Sequence, residues 1–323
     1  NLTEQNIDCF IGDICDYDFL SGVIKDFEPE VVVHYAEQPS APYSMIDQQS
    51  ALLTLQNNLS GTLNMIWAIK EFSPECHIIK LGTMGEYGTP NIDIEEGWLD
   101  LEHNGRKERV MYPKKPGSFY HLSKVHDSNN IEFTCRIWGL KATDLNQGVV
   151  YGFHTDETKL DPKLETSFHY DEIFGTVINR FITQVLIGHD LTVYGEGNQE
   201  RGYLNINDTL SCVLLAAENP PNEGEFRVYN QFTEKFSINE IAKKIVNALE
   251  SNSQNPIKIN KIKNPRIEME NHYYNPKNSG LLNLGLKPIS FSEKLIQEIF
   301  NNIKIYKDRI DKELILPRVK WKN

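Results

Sequence analysis

Cysteine is scarce. Cys9, Cys15, Cys76, Cys135 and Cys212 are the whole complement of a 323-residue chain, and no two stand as C-x-x-C or share a cluster with histidines. That spacing offers neither a zinc ribbon nor a disulfide framework. Reduced, mostly buried thiols in a cytosol-like compartment are the expectation. Basic charge is also short. Lys and Arg number 33 against 45 Asp and Glu, for a formal net charge of −12. A phosphate backbone demands basic patches, so this balance argues against nucleic acid as a partner. No apolar run approaches membrane-spanning length. No internal repeat, low-complexity segment or signal peptide is visible. If a plastid transit peptide has been lost, the compartment is a plastid stroma; otherwise the expectation is cytoplasmic.

What is present is ordinary globular composition, 40% hydrophobic and 24% charged, in a chain long enough for one large domain or two. Ile7 to Ile11 reads as a strand, Tyr17 to Phe27 as a helix, Val31 to His34 as a short buried strand, Ser44 to Phe72 as a long helix and Cys76 to Leu81 as a strand. Phe119 to Trp138 is again helical and Lys141 to Leu145 strand-like. This rhythm predicts an α/β, Rossmann-type doubly wound parallel sheet. After Tyr151 the rhythm fails, and a smaller C-terminal substrate lobe is expected, with its best helices at Ile173 to Ile187, Asn239 to Leu249 and Glu293 to Tyr306. The expected division is 1–152 for the Rossmann domain and 153–323 for the lobe, some of whose segments return to the sheet.

A dinucleotide fold normally begins with strand, glycine-rich turn and helix. The only seven-residue glycine match here is Gly82, Gly85 and Gly88, which runs into Thr89-Pro90 instead of a helix. The chain reads as opening on the third strand. The expectation is that about one βαβ unit precedes Asn1 and that the chain cannot bind a dinucleotide without it.

Ser118-Phe119-Tyr120-His121-Leu122-Ser123-Lys124 carries the chemistry. Tyrosine and lysine four apart share a helix face. An ammonium beside a phenol favours the phenolate, which makes a base for a sugar hydroxyl as a hydride leaves the same carbon. Tyr273 and Lys277 have the same spacing, but Pro276 between them argues against a helix.

These residues, with Gly12 to Asp16, Glu37-Gln38, Ser40 to Asp47, Lys80 to Ile94, Ala142 to Gly152, Leu191 to Asp208 and His272 to Asn275, cover nearly the whole chain. Together they resemble the extended short-chain dehydrogenases that act on nucleotide sugars, and among these the UDP-sulfoquinovose synthase family. The resemblance implies NAD as cofactor, UDP-glucose and sulfite as substrates, a sulfolipid headgroup precursor as product, and a homodimer. It implies Thr83, Tyr120 and Lys124 as catalytic residues, with Glu86 or His121 moving a further proton. Met84 and Gly85 stand where related 4,6-dehydratases carry an acid and a base, which favours the sulfonic-sugar branch. Cofactor contacts carry over onto Asp13, Ile14, Tyr35, Ala36, Glu37, Asn58, Tyr120, Lys124 and Gln147. Substrate contacts carry over onto Gln38, Thr83, Tyr120, Asn146, Gln199, Arg201 and Arg266, the arginines suiting a diphosphate. One residue departs from the pattern: Pro39 stands where the family has an anion-binding arginine. A nucleotide-sugar 4,6-dehydratase or epimerase is the alternative reading, and a non-catalytic NAD-sensing protein is the second. No metal is expected.

Overall fold

The computed structural model describes residues 7–253, 255–266, 269 and 271–321. Four parallel strands form the central sheet in the order β1 (Val31–His34), β2 (His77–Thr83), β5 (Lys141–Gln147) and β9 (Phe226–Gln231). Their side chains alternate between two buried faces, as parallel strands covered on both sides must. On one face Ile78, Ala142, Phe226 and Val228 pack with Met65, Ile66 and Ile69 of α2 (Gln48–Phe72) and Ile131 and Cys135 of α3 (Phe119–Trp138). On the other, Ile79, Leu145 and Tyr229 pack with Cys212 and Ala216 of α5 (Ile206–Glu218) and Leu281 of α7 (Ser279–Asn283). β9, α5 and α7 come from the second half of the chain, so the sheet is completed by segments that return to it.

Helix boundaries follow local chemistry. α1 (Tyr17–Phe27) starts at Asp16, whose carboxylate accepts from Phe19 N, and α2 starts at Asp47, which accepts from Ser50 N. The residues before α2 form a separate 3-10 turn, Tyr43–Met45, so the long helix begins later than the apolar pattern suggests. α3 is capped by Ser118, accepting from His121 N, and stops at Gly139, whose φ of 74° is left-handed. Between β2 and α3 lies a hairpin absent from the sequence reading, β3 (Trp98–His103) and β4 (Arg106–Met111). Asn104 and Gly105, with φ of 50° and 73°, make its two-residue turn.

The smaller lobe packs α4 (Val177–Leu186), α6 (Ile238–Leu249) and α8 (Glu293–Lys304) around one apolar core with Leu191, Val193 and Tyr203. Its strands β7 (Leu191–Tyr194), β8 (Glu200–Asn205), β10 (Glu234–Ser237), β11 (Ile259–Ile262) and β6 (Val149–Tyr151) form two small sheets. No described helix is long and apolar enough to cross a membrane.

One expected element is not formed. Residues 7–11 have no strand geometry, and Ile7, Phe10 and Ile11 are exposed. A strand exists only through its ladder, and no described strand pairs with this segment.

Candidate active site

The carboxyl ends of β2 and β5 face the smaller lobe across a cleft of about 420 Å³. Thr83 closes β2 there, and its hydroxyl accepts from Gly85 N at 3.1 Å. Tyr120 and His121, in the first turn of α3, line the same cleft, as do Gln147, Gln199, Arg201, Arg266 and Pro39. α3 is aimed by its cap and by Ser44, whose hydroxyl accepts from Tyr120 N at 3.0 Å. The loop before α2 therefore fixes where the tyrosine sits.

His121 has its Nδ1 at 3.1 Å from Ser118 Oγ. Burial, then the charges of Arg266 and Arg201, pull its pKa down to about 4, so it enters the cleft as a neutral imidazole. Gly85 is required beneath it. A Cβ on Gly85 would lie 2.3 Å from His121 Nε2.

Under the cleft lies a cluster of buried charges that the sequence reading did not find. Lys80 Nζ is fully buried and donates to Glu86 at 3.1 Å, Ser128 Oγ at 2.9 Å and the Lys124 carbonyl at 3.1 Å, and reaches Asp144 at 3.1 Å. Lys114 also pairs with Glu86, and Lys124 with Glu37. Asp127, fully buried one turn after Lys124, has its carboxyl pushed well above the carboxylate range, by burial first, with Lys124 opposing and Glu37 adding to the shift. One signal was available: Lys80 interrupts an apolar strand, and a lysine is almost never fully buried unless paired.

Several expectations meet a different geometry. Glu86 does not line the cleft. Burial alone would raise its carboxyl, but Lys114 and Lys80 outweigh that and hold it below the usual range, a strand-end carboxylate spent on ion pairs. Tyr120 sits in a setting that favours the neutral phenol. Burial raises the phenol above its ordinary value, and the charges of Glu37 and Glu86 add to this while Lys80 opposes. Glu37 also holds Lys124 in an ion pair. Asn146 is fully buried, does not line the cleft and donates to Tyr87 OH at 2.9 Å, because its strand parity turns it away. Gln38 is likewise bound inward, donating to Thr54 Oγ1 at 2.8 Å.

The expected cofactor residues lie around β1 and α2. Asp13 Oδ1 accepts from Cys15 N at 2.8 Å, and Ile14 packs against Gly61, where a Cβ would lie 2.7 Å from Ile14 Cγ2. Tyr35 and Ala36 are exposed beyond the end of β1. Asn58 uses both ends of its amide on the loop and on α3, accepting from Gln38 N at 2.8 Å and donating to Ser123 Oγ at 2.9 Å. Gln147 donates to Gln231 at 3.2 Å. Glu37 Oε1 is buried with no hydrogen-bond partner, while its other oxygen holds Lys124. A ribose diol, with hydroxyls that both donate and accept, fits that orphaned acceptor beside a lysine.

Arg180 of α4 was also missed. It lines the cleft, is 8% exposed and donates from Nη2 to the Thr192 carbonyl at 3.2 Å. It lies within an apolar helix pattern whose partners cannot be read from spacing.

The sequence pattern of the NAD dependent epimerase/dehydratase family matches residues 2–230. A spinach protein named UDP-sulfoquinovose synthase, chloroplastic, is 56% identical over 321 residues, covering 99% of this chain and 66% of the relative. A Sulfolobus acidocaldarius UDP-sulfoquinovose synthase is 42% identical over 320 residues, covering 98% of this chain and 81% of the relative. The chain thus spans slightly under two thirds of the spinach protein. Among solved structures, UDP-glucose 4-epimerase of Thermus thermophilus in complex with NAD superposes with a TM-score of 0.65 at 22% identity, over 91% of this chain and 83% of that one. That likeness is one of fold. A parallel sheet with its cleft at the strand carboxyl ends, the Thr83–Tyr120–His121 lining and these identities place the chain in the NAD dependent epimerase/dehydratase family, and within it in the UDP-sulfoquinovose synthase branch.

Proposed function

We propose that the protein forms UDP-sulfoquinovose from UDP-glucose and sulfite. The observation that carries this reading is identity of 56% and 42%, over nearly all of this chain, to two proteins of that name. In the overall reaction C4 of the glucose is oxidised, water is lost across C5 and C6, sulfite sulfur bonds to C6 as a proton returns to C5, and C4 is reduced again. NAD, when bound, accepts the C4 hydride and gives it back. Asp13, Ile14, Tyr35, Ala36, Glu37, Lys124 and Gln147 would hold it, with Asn58 fixing the loop below.

Within the cleft, Thr83 hydrogen-bonds the 4-hydroxyl and Tyr120 takes its proton. A ribose hydroxyl accepted by Glu37 would weaken the grip on Lys124, whose ammonium then favours the phenolate. His121, a neutral imidazole with Nδ1 on Ser118 Oγ, would take the C5 proton on its other ring nitrogen and return it. Glu86 acts at a distance, by fixing Lys80 and Lys114 beneath the reacting groups. Gln199, Arg201 and Arg266 face the nucleotide end.

A homodimer is part of the proposal. Leu52, Leu63 and Trp67 on α2 and Phe133 and Ile137 on α3 are all more than two fifths exposed, on two helices packed side by side. The proposed compartment is the cytoplasm, or a plastid stroma in line with the word chloroplastic in the spinach relative's name. Chromatographic separation of the UDP-hexose epimers followed by mass spectrometry, with and without sulfite, tests the activity. A sulfonated UDP-hexose formed only with sulfite is expected. A 4-keto-6-deoxy sugar or UDP-galactose, formed without it, would favour a dehydratase or epimerase instead.

A further inference from the structure

Arg180 presents a buried charge that no described carboxylate meets in an ion pair. Its guanidinium is more than nine-tenths buried, yet among the described residues no carboxylate lies within ion-pair distance. Of its five N–H donors, Nη2 bonds the Thr192 carbonyl, and Nε is buried with no hydrogen-bond partner. The Tyr194 ring lies 4.2 Å from Cζ and supports one face of the cation without neutralising it. Glu172, an acid in the same cleft lining, accepts from Arg318 N at 2.6 Å and Val319 N at 3.0 Å. Burial, with Arg266 adding to it, pulls the Arg180 pKa down against the opposing effects of Tyr194 and Glu172. A buried arginine is ordinarily paired, because an uncompensated charge away from water is costly. This one opens onto a cleft that also holds Arg201, Arg266 and His121. Pro39, standing where the family pattern has an arginine, lines the same cleft and supplies no charge.

We infer that Arg180 is the buried cation of an oxyanion subsite in this cleft. The oxyanion is a tetrahedral or pyramidal group with at least two oxygens, matched to the planar guanidinium fork. Two sources have that chemistry: the diphosphate of the nucleotide sugar, and the sulfite that becomes the sulfonate. Naming those two sources rests on the proposed function. The subsite itself rests on the unpaired guanidinium.

Calorimetric titration of the wild type, Arg180→Gln and Arg180→Lys with UDP and with uridine reads the first source. Displacement of the thermal midpoint by sodium sulfite, with UDP-glucose and NAD present, reads the second. If the diphosphate is the ligand, Arg180→Gln weakens UDP by at least ~tenfold, while uridine, which lacks phosphate, changes less than ~twofold. If sulfite is the ligand, UDP binding is kept and the sulfite half-effect concentration rises at least ~tenfold. In either case Arg180→Lys retains part of the affinity, because the charge remains. The inference is overturned if Arg180→Gln leaves both ligands within ~twofold of wild type. It is equally overturned if UDP, uridine and sulfite all weaken together in both variants, which marks a packing role. A wild type that makes no sulfonated product defeats the proposed function but leaves the UDP comparison readable.

Discussion

Replacing Lys80 by Met tests how the cleft is held from below. Lys80 Nζ touches Glu86, Asp144, Ser128 and the Lys124 carbonyl, all with side chains at or near zero exposure. Methionine keeps the volume and removes the charge. Glu86 would still have Lys114. Asp144 would keep only Ser128 Oγ, at 2.7 Å, and would be left a buried carboxylate with no cation. Breaking one partner of a buried pair costs ~3–5 kcal/mol. At this chain length that lowers the thermal midpoint by on the order of 10 °C. Removing the orphan as well, in Lys80→Met with Asp144→Leu, recovers most of the loss, because an apolar pair of similar volume is close to neutral. Function moves with it. The Lys80 charge is the one that opposes the raised pKa of Tyr120, so the single variant shifts the alkaline rise of the rate to higher pH. The assays are chemical denaturation at constant pH and a pH–rate profile. A loss under ~1 kcal/mol, or a double variant no more stable than the single, would refute the reasoning.

Tyr120→Phe removes the base and is expected to lower turnover by ~10²–10⁴, with cofactor affinity kept; near wild-type turnover removes Tyr120 from the mechanism. Leu63→Asp, on the exposed side of α2, is expected to convert a dimer to monomer in light scattering; a wild type that is monomeric at micromolar concentration contradicts the proposed assembly. Burial depresses His34 to about 3 and His77 and His121 to about 4, from 6.5, so the unfolded chain takes up protons first as the pH falls. Their stability contribution is therefore complete above 6.5 and declines towards the folded values, at up to ~1.4 kcal/mol per pH unit for each histidine. His77→Gln is expected to make that acid decline shallower in denaturation curves, and an unchanged slope argues against a buried neutral His77.

Residues that share an element with their partners were legible in the sequence. Tyr120 came from the one-turn spacing to Lys124, and His121 and Thr83 from the family resemblance, and both segments meet the cleft. The rhythm of apolar runs gave β1, β2, β5 and the helices between them. The direction of a side chain at an element's end was not legible. Glu86 lies three residues after Thr83 but turns inward to two lysines, and Asn146 and Gln147 are adjacent yet face opposite sides of β5. The buried charge cluster joins β2, β5, α3 and two loops, and such convergence is a property of the packed molecule alone. Ile7 to Ile11 shows the same limit for backbone: an apolar run signals strand propensity, but only a neighbouring ladder makes a strand.

The central claim is that one cleft removes a hydride from C4, adds sulfite at C6 and restores the hydride to the same carbon. UDP-glucose deuterated at C4, incubated with sulfite and NAD in ordinary water, tests sulfite addition and retention of the hydride in one mass spectrum with fragment assignment, and the slowing of the single-turnover rate against unlabelled UDP-glucose tests its removal. The expected product is a sulfonated UDP-hexose that retains its deuterium at C4. A product without sulfonate, or a sulfonated product that has lost the label, would contradict it.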